Sequence, residues 1–455
     1  MEDKETLLKW DEDYLWHPFT QMKEYFLEDP LLIKRGKGCY LQDIDGNWYL
    51  DAISSLWLNV HGHAHPKLTK ALQEQAEIIA HSTMLGMSNV PAVQLAKRLI
   101  EIVPEGLKKV FYSDDGSTSV EIALKMSYQY WQQKDGGKYK SKKKFISLSN
   151  AYHGDTVGSV SVGGIDLFHQ IYEPLLFKGE KIPSPYCYRC QLQKEKTTCN
   201  LACLDVLKQL LQSENEKLAA LIAEPLVQGA AGMIMAPLGY LKRVRELCTK
   251  YNILLITDEV ATGFGKTGTM FACEQEGVKP DILCMSKGIT GGYLPLAATV
   301  TTDEIYNAFL GDYSEQKTFF HGHSYTGNQL ACSVALANLD LFAEPEFFPE
   351  LQRKISYLAQ RLDSFAQLEH VGEVRQRGMM IGIELVADKK TKKPYDWSEK
   401  IGYKVCQKAR EEGVLLRPLD NVIVLMPILA SEESDLEKIV TAAYNSIKSV
   451  TEDNE

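Results

Sequence analysis

The run Ile253-Leu-Leu-Ile-Thr-Asp258-Glu259-Val-Ala-Thr-Gly263-Phe-Gly265, followed by Asp281-Ile-Leu-Cys-Met-Ser286-Lys287-Gly288, decides the fold. Each part contains a short apolar stretch, too short for a helix and bounded by Gly or Pro, as expected of a strand buried on both faces of a parallel sheet. Such strands deliver Asp258 and Lys287 to their carboxyl ends, where open α/β sheets bind ligands. An α/β architecture is therefore expected.

Lys287 directly follows an apolar strand and precedes Gly288-Ile-Thr-Gly-Gly292, so its ammonium is poorly placed to reach bulk water and its pKa should fall. An amine in that state is nucleophilic near neutral pH. Asp258 stands 29 residues upstream, and a carboxylate facing a heteroaromatic nitrogen keeps that nitrogen protonated. An imine-forming lysine and an acidic partner for a pyridinium are the two protein groups that pyridoxal phosphate requires. Taken singly, each residue reads as readily as a helix cap or a surface charge. The Gly-rich flanks of both favour the site.

Val110-Phe-Tyr-Ser-Asp-Asp-Gly116-Ser117-Thr118-Ser119-Val-Glu121 reads as strand, tight turn and helix start. Thr118 and Glu121 have the spacing of a capping box, and Val120, Leu124, Tyr128 and Trp131 fall on one helical face. Free backbone N–H groups and the positive helix end would converge at Gly116 and Ser117, which makes an anion site. Phe145 to Leu148 and Leu218 to Glu224 read as further strands. Asn150-Ala-Tyr-His-Gly-Asp155 follows the first of these, and Pro225-Leu-Val-Gln228 follows the second.

The length of 455 residues exceeds what one core sustains, so two domains are expected. A net charge of −10 argues against nonspecific nucleic-acid binding and against docking on anionic membranes. The charged start Met1-Glu-Asp-Lys-Glu has no apolar segment behind it, and no apolar run approaches a membrane span, so a cytoplasmic protein is expected. The ten cysteines then read as thiols. Cys187, Cys190, Cys199 and Cys203 suit a tetrahedral zinc clip, but the wider second pair and the short intervening loop fit a reduced surface insertion better. His61, His63 and His65 alternate, yet no carboxylate or cysteine joins them, and packing or hydrogen-bonded roles are expected.

In the small N-terminal lobe, Gly38 to Asp51 alternates around Asp45-Gly46 as a β-hairpin does. Leu330 to Leu341 is apolar at helical spacing, Met379 to Leu385 and Val422 to Met426 read as strands, and Ser398 to Glu412 as a helix between them. Arg417 sits alone at a strand end. Its guanidinium suits a bidentate carboxylate, whether of a substrate or of a structural ion pair.

Ile256-Thr-Asp-Glu-Val-Ala-Thr-Gly-Phe-Gly265, the spacing to Ser286-Lys287-Gly288 and the Gly291-Gly-Tyr-Leu-Pro295 tail resemble the signature of the class III aminotransferases, which is long and specific. Within that family, three stretches are similar to the branch that makes 7,8-diaminononanoate from 8-amino-7-oxononanoate in biotin synthesis. They are Leu15-Trp-His-Pro-Phe-Thr-Gln-Met22, Trp57-Leu-Asn-Val-His-Gly62 and His321-Gly-His-Ser-Tyr-Thr-Gly-Asn328. The similarity covers essentially the whole chain.

The resemblance implies a fold type I pyridoxal-phosphate-dependent transferase. Its large domain (66–335) would carry a mostly parallel seven-stranded sheet between helices, and both termini (1–65 and 336–455) would form a smaller α+β domain. Catalytic roles fall to Lys287, which carries the cofactor and moves the proton, to Asp258 and to Tyr152. Gly116 and Ser117 would hold the cofactor phosphate, Tyr152 would stack on its ring, and Gln228 would lie near the ring's hydroxyl side. Gly322, His323 and Ser324 would reach the cofactor phosphate of a neighbouring subunit, which implies a homodimer with the site at the interface. Substrate would meet Trp57, Phe19, Tyr152, Lys287, Gly322 and Arg417, with Arg417 on the oxo acid's carboxylate, and no metal takes part.

Two departures from the family pattern stand out. Ala230 occupies a position where many members carry a Glu that switches an arginine, and Phe19 replaces the Tyr of the S-adenosylmethionine-using enzymes. The Trp57 and His321 segments are closer in wording to the Bacillus-type, lysine-using enzyme, so the expected amino donor is L-lysine, with S-adenosylmethionine the other candidate. A class III ω-amino-acid or diamine aminotransferase would share Asp258 and Lys287 but not the Trp-His-Pro-Phe opening. A non-catalytic regulatory protein of this fold would need an appended DNA-binding segment, for which neither terminus is long enough.

Overall fold

Leu254–Asp258 and Ile282–Met285 are adjacent parallel strands, with Asp258 in register with Cys284. The computed structural model describes residues 2–28 and 30–452. In it these two strands lie near the middle of a seven-stranded sheet in the order Leu107–Ser113, Ala297–Thr302, Ile282–Met285, Leu254–Asp258, Leu218–Ala223, Lys144–Leu148, Glu180–Ile182. Only Ala297–Thr302 runs against its neighbours. The remaining pairings are parallel. Leu218–Ala223 and Leu254–Asp258 are buried at every position, as a strand covered on both faces requires.

The helix Gly116–Gln133 covers one face, and its Trp131 indole N–H donates to the Ala219 carbonyl in the sheet at 2.9 Å. Its capping box lies three residues earlier than the sequence suggests. Asp115 accepts from the Thr118 amide while Thr118 Oγ1 faces the Asp115 amide. Glu121 is thereby free to bind another turn, taking the Thr156 hydroxyl at 2.6 Å and the Gly158 amide at 2.7 Å. Val120, Leu124 and Trp131 are buried as expected, but Tyr128 is exposed and Ser127 and Tyr130 are buried instead.

Two four-stranded sheets flank this layer. The first joins Ile33–Lys37, Tyr40–Asp43 and Trp48–Asp51 to Val414–Leu415, so the hairpin expected around Asp45-Gly46 forms and is completed by a strand from the C-terminal part. The second orders Val371–Arg377, Met380–Leu385, Val422–Leu425 and Arg417–Leu419. The helix expected from Ser398 begins at Ile401, because Asp396 and Glu399 cap a separate short turn and Lys400 takes a left-handed φ of 51°.

Positive φ at Gly62 and Ala64 breaks the extended chain that would align the three histidines. His61 instead packs against Phe342 and Phe347, and burial lowers its pKa to about 3. His63 Nε2 meets Asp51 Oδ2 at 3.0 Å. The four-thiol loop is half-buried and its cysteines are free, with Tyr186 and Arg189 bound to Glu384. Among the described residues no three His, Cys, Asp or Glu side chains are grouped to hold a metal ion, and no helix is long and apolar enough to cross a membrane.

Candidate active site

A cavity of about 490 Å³ opens at the carboxyl ends of the central strands, bounded among others by Trp57, Gly116, Ser117, Tyr152, Asp258 and Lys287. Parallel register produces this convergence. Ala223 pairs with Thr257 and Asp258 with Cys284, so Glu224 and Asp258 emerge side by side, and Lys287 follows three residues past the partner of Asp258.

Lys287 has a φ of 46° and opens a short 3-10 turn. The turn is fixed from behind by Asn338, whose Nδ2 donates to the Gly288 and Ile289 carbonyls at 2.9 and 3.0 Å. Burial lowers the Lys287 pKa, against the opposing pull of Asp258, Glu224 and Asp155. Its Nζ lies 5.4 Å from the centre of the Trp57 ring.

Asp258 is held through both oxygens. His153 Nδ1 approaches Oδ2 at 2.7 Å and the Val260 amide donates to Oδ1 at 3.1 Å. Glu224 accepts from the Tyr152 amide at 3.1 Å and from the Gly229 amide at 2.8 Å. Burial, opposed by His153 and reinforced by Asp258, pushes its carboxyl up to about 7. The residue reading assigned no role to His153 or Glu224. Adjacency to Tyr152 and a place at a parallel strand end were the available signals.

At the helix N-terminus, a Cβ on Gly116 would fall 2.6 Å from Val260 Cγ1 and one on Gly154 would fall 2.0 Å from Ser117 Oγ. Glycine therefore lets three turns close around the first helical N–H groups, which have no acceptor within the helix. The cradle fits a phosphate, Lys287 supplies the amine and Asp258 the carboxylate. This donor set fits pyridoxal phosphate.

The remaining expected residues are distributed more widely. The Tyr152 hydroxyl donates to Asp155 at 2.6 Å, and Tyr152 meets Phe168, which in turn packs edge-on against the exposed Phe19. Gln228 does not line the cavity: its side chain is bound to Ser184 and, at 2.9 Å, to the Ser149 carbonyl. Arg417 is half-buried, and the groups acting on it are the Cys406 thiol and Tyr152, with no carboxylate among them. His323 Nδ1 is 3.3 Å from Asp114 Oδ2 at the cavity edge, and the Ser324 carbonyl meets His81 Nε2 at 2.6 Å. Gly322 has open space around its Cα.

The family model Aminotransferase class-III matches residues 24–447. An adenosylmethionine-8-amino-7-oxononanoate aminotransferase of Aquifex aeolicus is 58% identical over 98% of this chain and 98% of its own. The crystal structure of the Methanocaldococcus jannaschii protein of the same name superposes with a TM-score of 0.93 at 49% identity, covering 98% of this chain and 99% of that one. A PLP-bound amine transaminase from an uncultivated Pseudomonas species gives a TM-score of 0.89 at 35% identity, covering 96% and 98%. The architecture is fold type I. With a match across most of its length and a lysine and an aspartate converging on one cavity, the chain belongs to the class III aminotransferase family.

Proposed function

We propose that this aminotransferase converts 8-amino-7-oxononanoate to 7,8-diaminononanoate, using pyridoxal phosphate and taking its amino group from S-adenosylmethionine. The observation that carries the reading is the identity of 41 to 58%, over 94% or more of this chain, to eight relatives named for this reaction, against 29 to 35% for solved structures of transaminases with other names. The donor follows the relatives' names, one of them from Anoxybacillus flavithermus at 52% identity over 96% of both chains. Phe19, without the phenolic hydroxyl, favours L-lysine as a second reading.

Pyridoxal phosphate, when bound, supplies an electrophilic aldehyde and a ring that takes up the electron pair left when the amino-bearing carbon loses its proton. Lys287 Nζ, desolvated and facing the cavity, is the base that takes that proton and returns it. Asp258, oriented by His153 and the Val260 amide, offers a carboxylate to a protonated ring nitrogen. Gly116 and Ser117 hold phosphate at the helix end. Tyr152 and Trp57 wall the site, and Arg417 takes the substrate carboxylate.

A homodimer is part of the reading. His81 to Val93 and Phe320 to Asn328 pack together through His81–Tyr325 and present Leu85, Met87, Val90, Val93, Phe320 and Tyr325 to the outside. Large apolar side chains exposed on two segments that touch each other support an interface. Light scattering should give twice the chain mass, and an active monomer would contradict it.

Single half-turnovers followed by cofactor absorbance test the chemistry. S-Adenosylmethionine should convert the bound cofactor and 8-amino-7-oxononanoate should convert it back. Conversion by lysine but not S-adenosylmethionine would replace the donor, and no conversion by the oxo acid would reject the substrate.

A further inference from the structure

Ser54, Ser55, Leu56 and Trp57 have φ values of 50, 47, 70 and 71°, four consecutive non-glycine residues in the left-handed region. L-residues visit that region singly, and a run of this kind persists only where its surroundings hold it. The turn ends on Trp57, a buried residue whose ring centre lies 5.4 Å from Lys287 Nζ and which packs tightly over Gly229, where a Cβ would sit 3.2 Å from Trp57 Cζ3.

Lys266 is bound to this turn. It belongs to the loop that follows Asp258, eight residues on, and its side chain is fully buried. Its Nζ donates to Ser54 Oγ at 2.8 Å and to the Asn59 carbonyl at 2.9 Å, so it grips the turn at its start and just past its end. Ser54 Oγ in turn donates to the Met426 carbonyl at 2.6 Å, while Ser55 is bound to Asp51 through its amide and hydroxyl. The Lys266 carbonyl accepts from the Met379 amide at 2.9 Å, so its backbone is tied as well.

We propose that Lys266 is a positioning residue for the reaction at Lys287: by bridging Ser54 and Asn59 it holds the left-handed turn that sets the Trp57 ring against the catalytic amine. The consequence for substrate rests on Trp57 being a wall of the substrate site, as in the proposed function. The signature run thus supplies Asp258 to the cavity, and Lys266, the residue directly after its Gly265, sets the placement of Trp57.

The test uses holoenzyme labelled with 5-fluorotryptophan, with the Trp57 ¹⁹F resonance assigned by its absence in Trp57→Phe. Lys266→Met keeps the volume and removes the donors. The Trp57 resonance should shift or split, and KM for the amino acceptor should rise about tenfold with a smaller change in kcat. Lys266→Arg, whose guanidinium can still donate to both Ser54 and Asn59, should keep the native resonance. Adding Ser55→Gly and Leu56→Gly to Lys266→Met should return the resonance toward its native position, because glycine adopts positive φ without the Cβ conflict. An unmoved Trp57 resonance in Lys266→Met, or no recovery with the glycines, overturns the proposal. Should Lys266→Met fail to fold, Ser54→Ala removes one of the two anchors, and an unchanged resonance there overturns it equally. A wild type inactive on the oxo acid, together with the expected resonance changes in the Lys266 variants, would sink the substrate assignment and leave the role of Lys266 standing.

Discussion

His153 Nδ1 lies 2.7 Å from Asp258 Oδ2, both side chains buried at the floor of the cavity. A carboxylate only accepts, so Nδ1 carries the hydrogen and the ring's other nitrogen, Nε2, is left without a partner among the described residues. With the Val260 amide on Oδ1, both oxygens of Asp258 are oriented before any ligand arrives.

Loss of that orientation should reduce turnover. Hydrogen bonds to charged groups contribute about 1.5–3 kcal/mol, so His153→Leu should lower kcat/KM roughly 10- to 100-fold. Cofactor should also be lost faster on dialysis. Steady-state rates and retained cofactor absorbance measure both, and an unchanged variant would mean that the Val260 amide alone suffices.

Glu224 makes stability depend on pH in a definite direction. Its folded pKa, about 7, lies above its ordinary value of 4.5, so the folded state binds more protons between those limits. The contribution is complete below pH 4.5 and is lost as pH rises through about 7. Stability of the wild type relative to Glu224→Gln should therefore fall across that window, by up to about 1.4 kcal/mol per pH unit. Thermal unfolding of the two proteins side by side reads this, and a pH-independent gap would contradict it.

Arg417 should act on substrate binding. Arg417→Met is expected to raise KM for a carboxylate-bearing acceptor about 10- to 100-fold while changing kcat little. An acceptor with its carboxylate esterified should lose this sensitivity. Equal losses on both acceptors would assign Arg417 to structure.

Arg375 and Glu384 form a buried pair at 2.6 Å, with Arg375 also donating to the Gly232 and Met233 carbonyls next to the Gln228 segment. Glu384→Ala leaves that guanidinium short of its buried partner and should destabilise by about 3–5 kcal/mol, with Glu384→Gln milder. Denaturant unfolding checks the order. A neutral Glu384→Ala would show that Glu373, 2.8 Å from the same guanidinium, compensates fully.

Legibility tracked how local each feature is. Asp258, Lys287 and the Gly116–Ser117 turn were readable because a buried strand followed by glycine is a pattern of a few residues, and the parallel sheet carries such ends to one place. Boundaries slipped where two caps competed: Asp115 outcompeted Thr118 as N-cap, and Asp396 with Glu399 closed a turn ahead of the helix expected from Ser398. Gln228 was assigned a place near the cofactor by resemblance, yet its side chain is bound to Ser184 and Ser149. A strand-end position does not dictate where an amide turns.

The amino-acid order alone determined the α/β class and the places of Asp258 and Lys287 at strand ends and of Gly116 and Ser117 at a helix start, because hydrophobic run length and glycine placement act over neighbouring residues. Tertiary structure alone decided that His153 meets Asp258 across 105 positions and that Lys266 reaches Ser54 across 212. Those contacts depend on strand order, on the direction each side chain takes from its turn, and on a left-handed run that no local preference encodes.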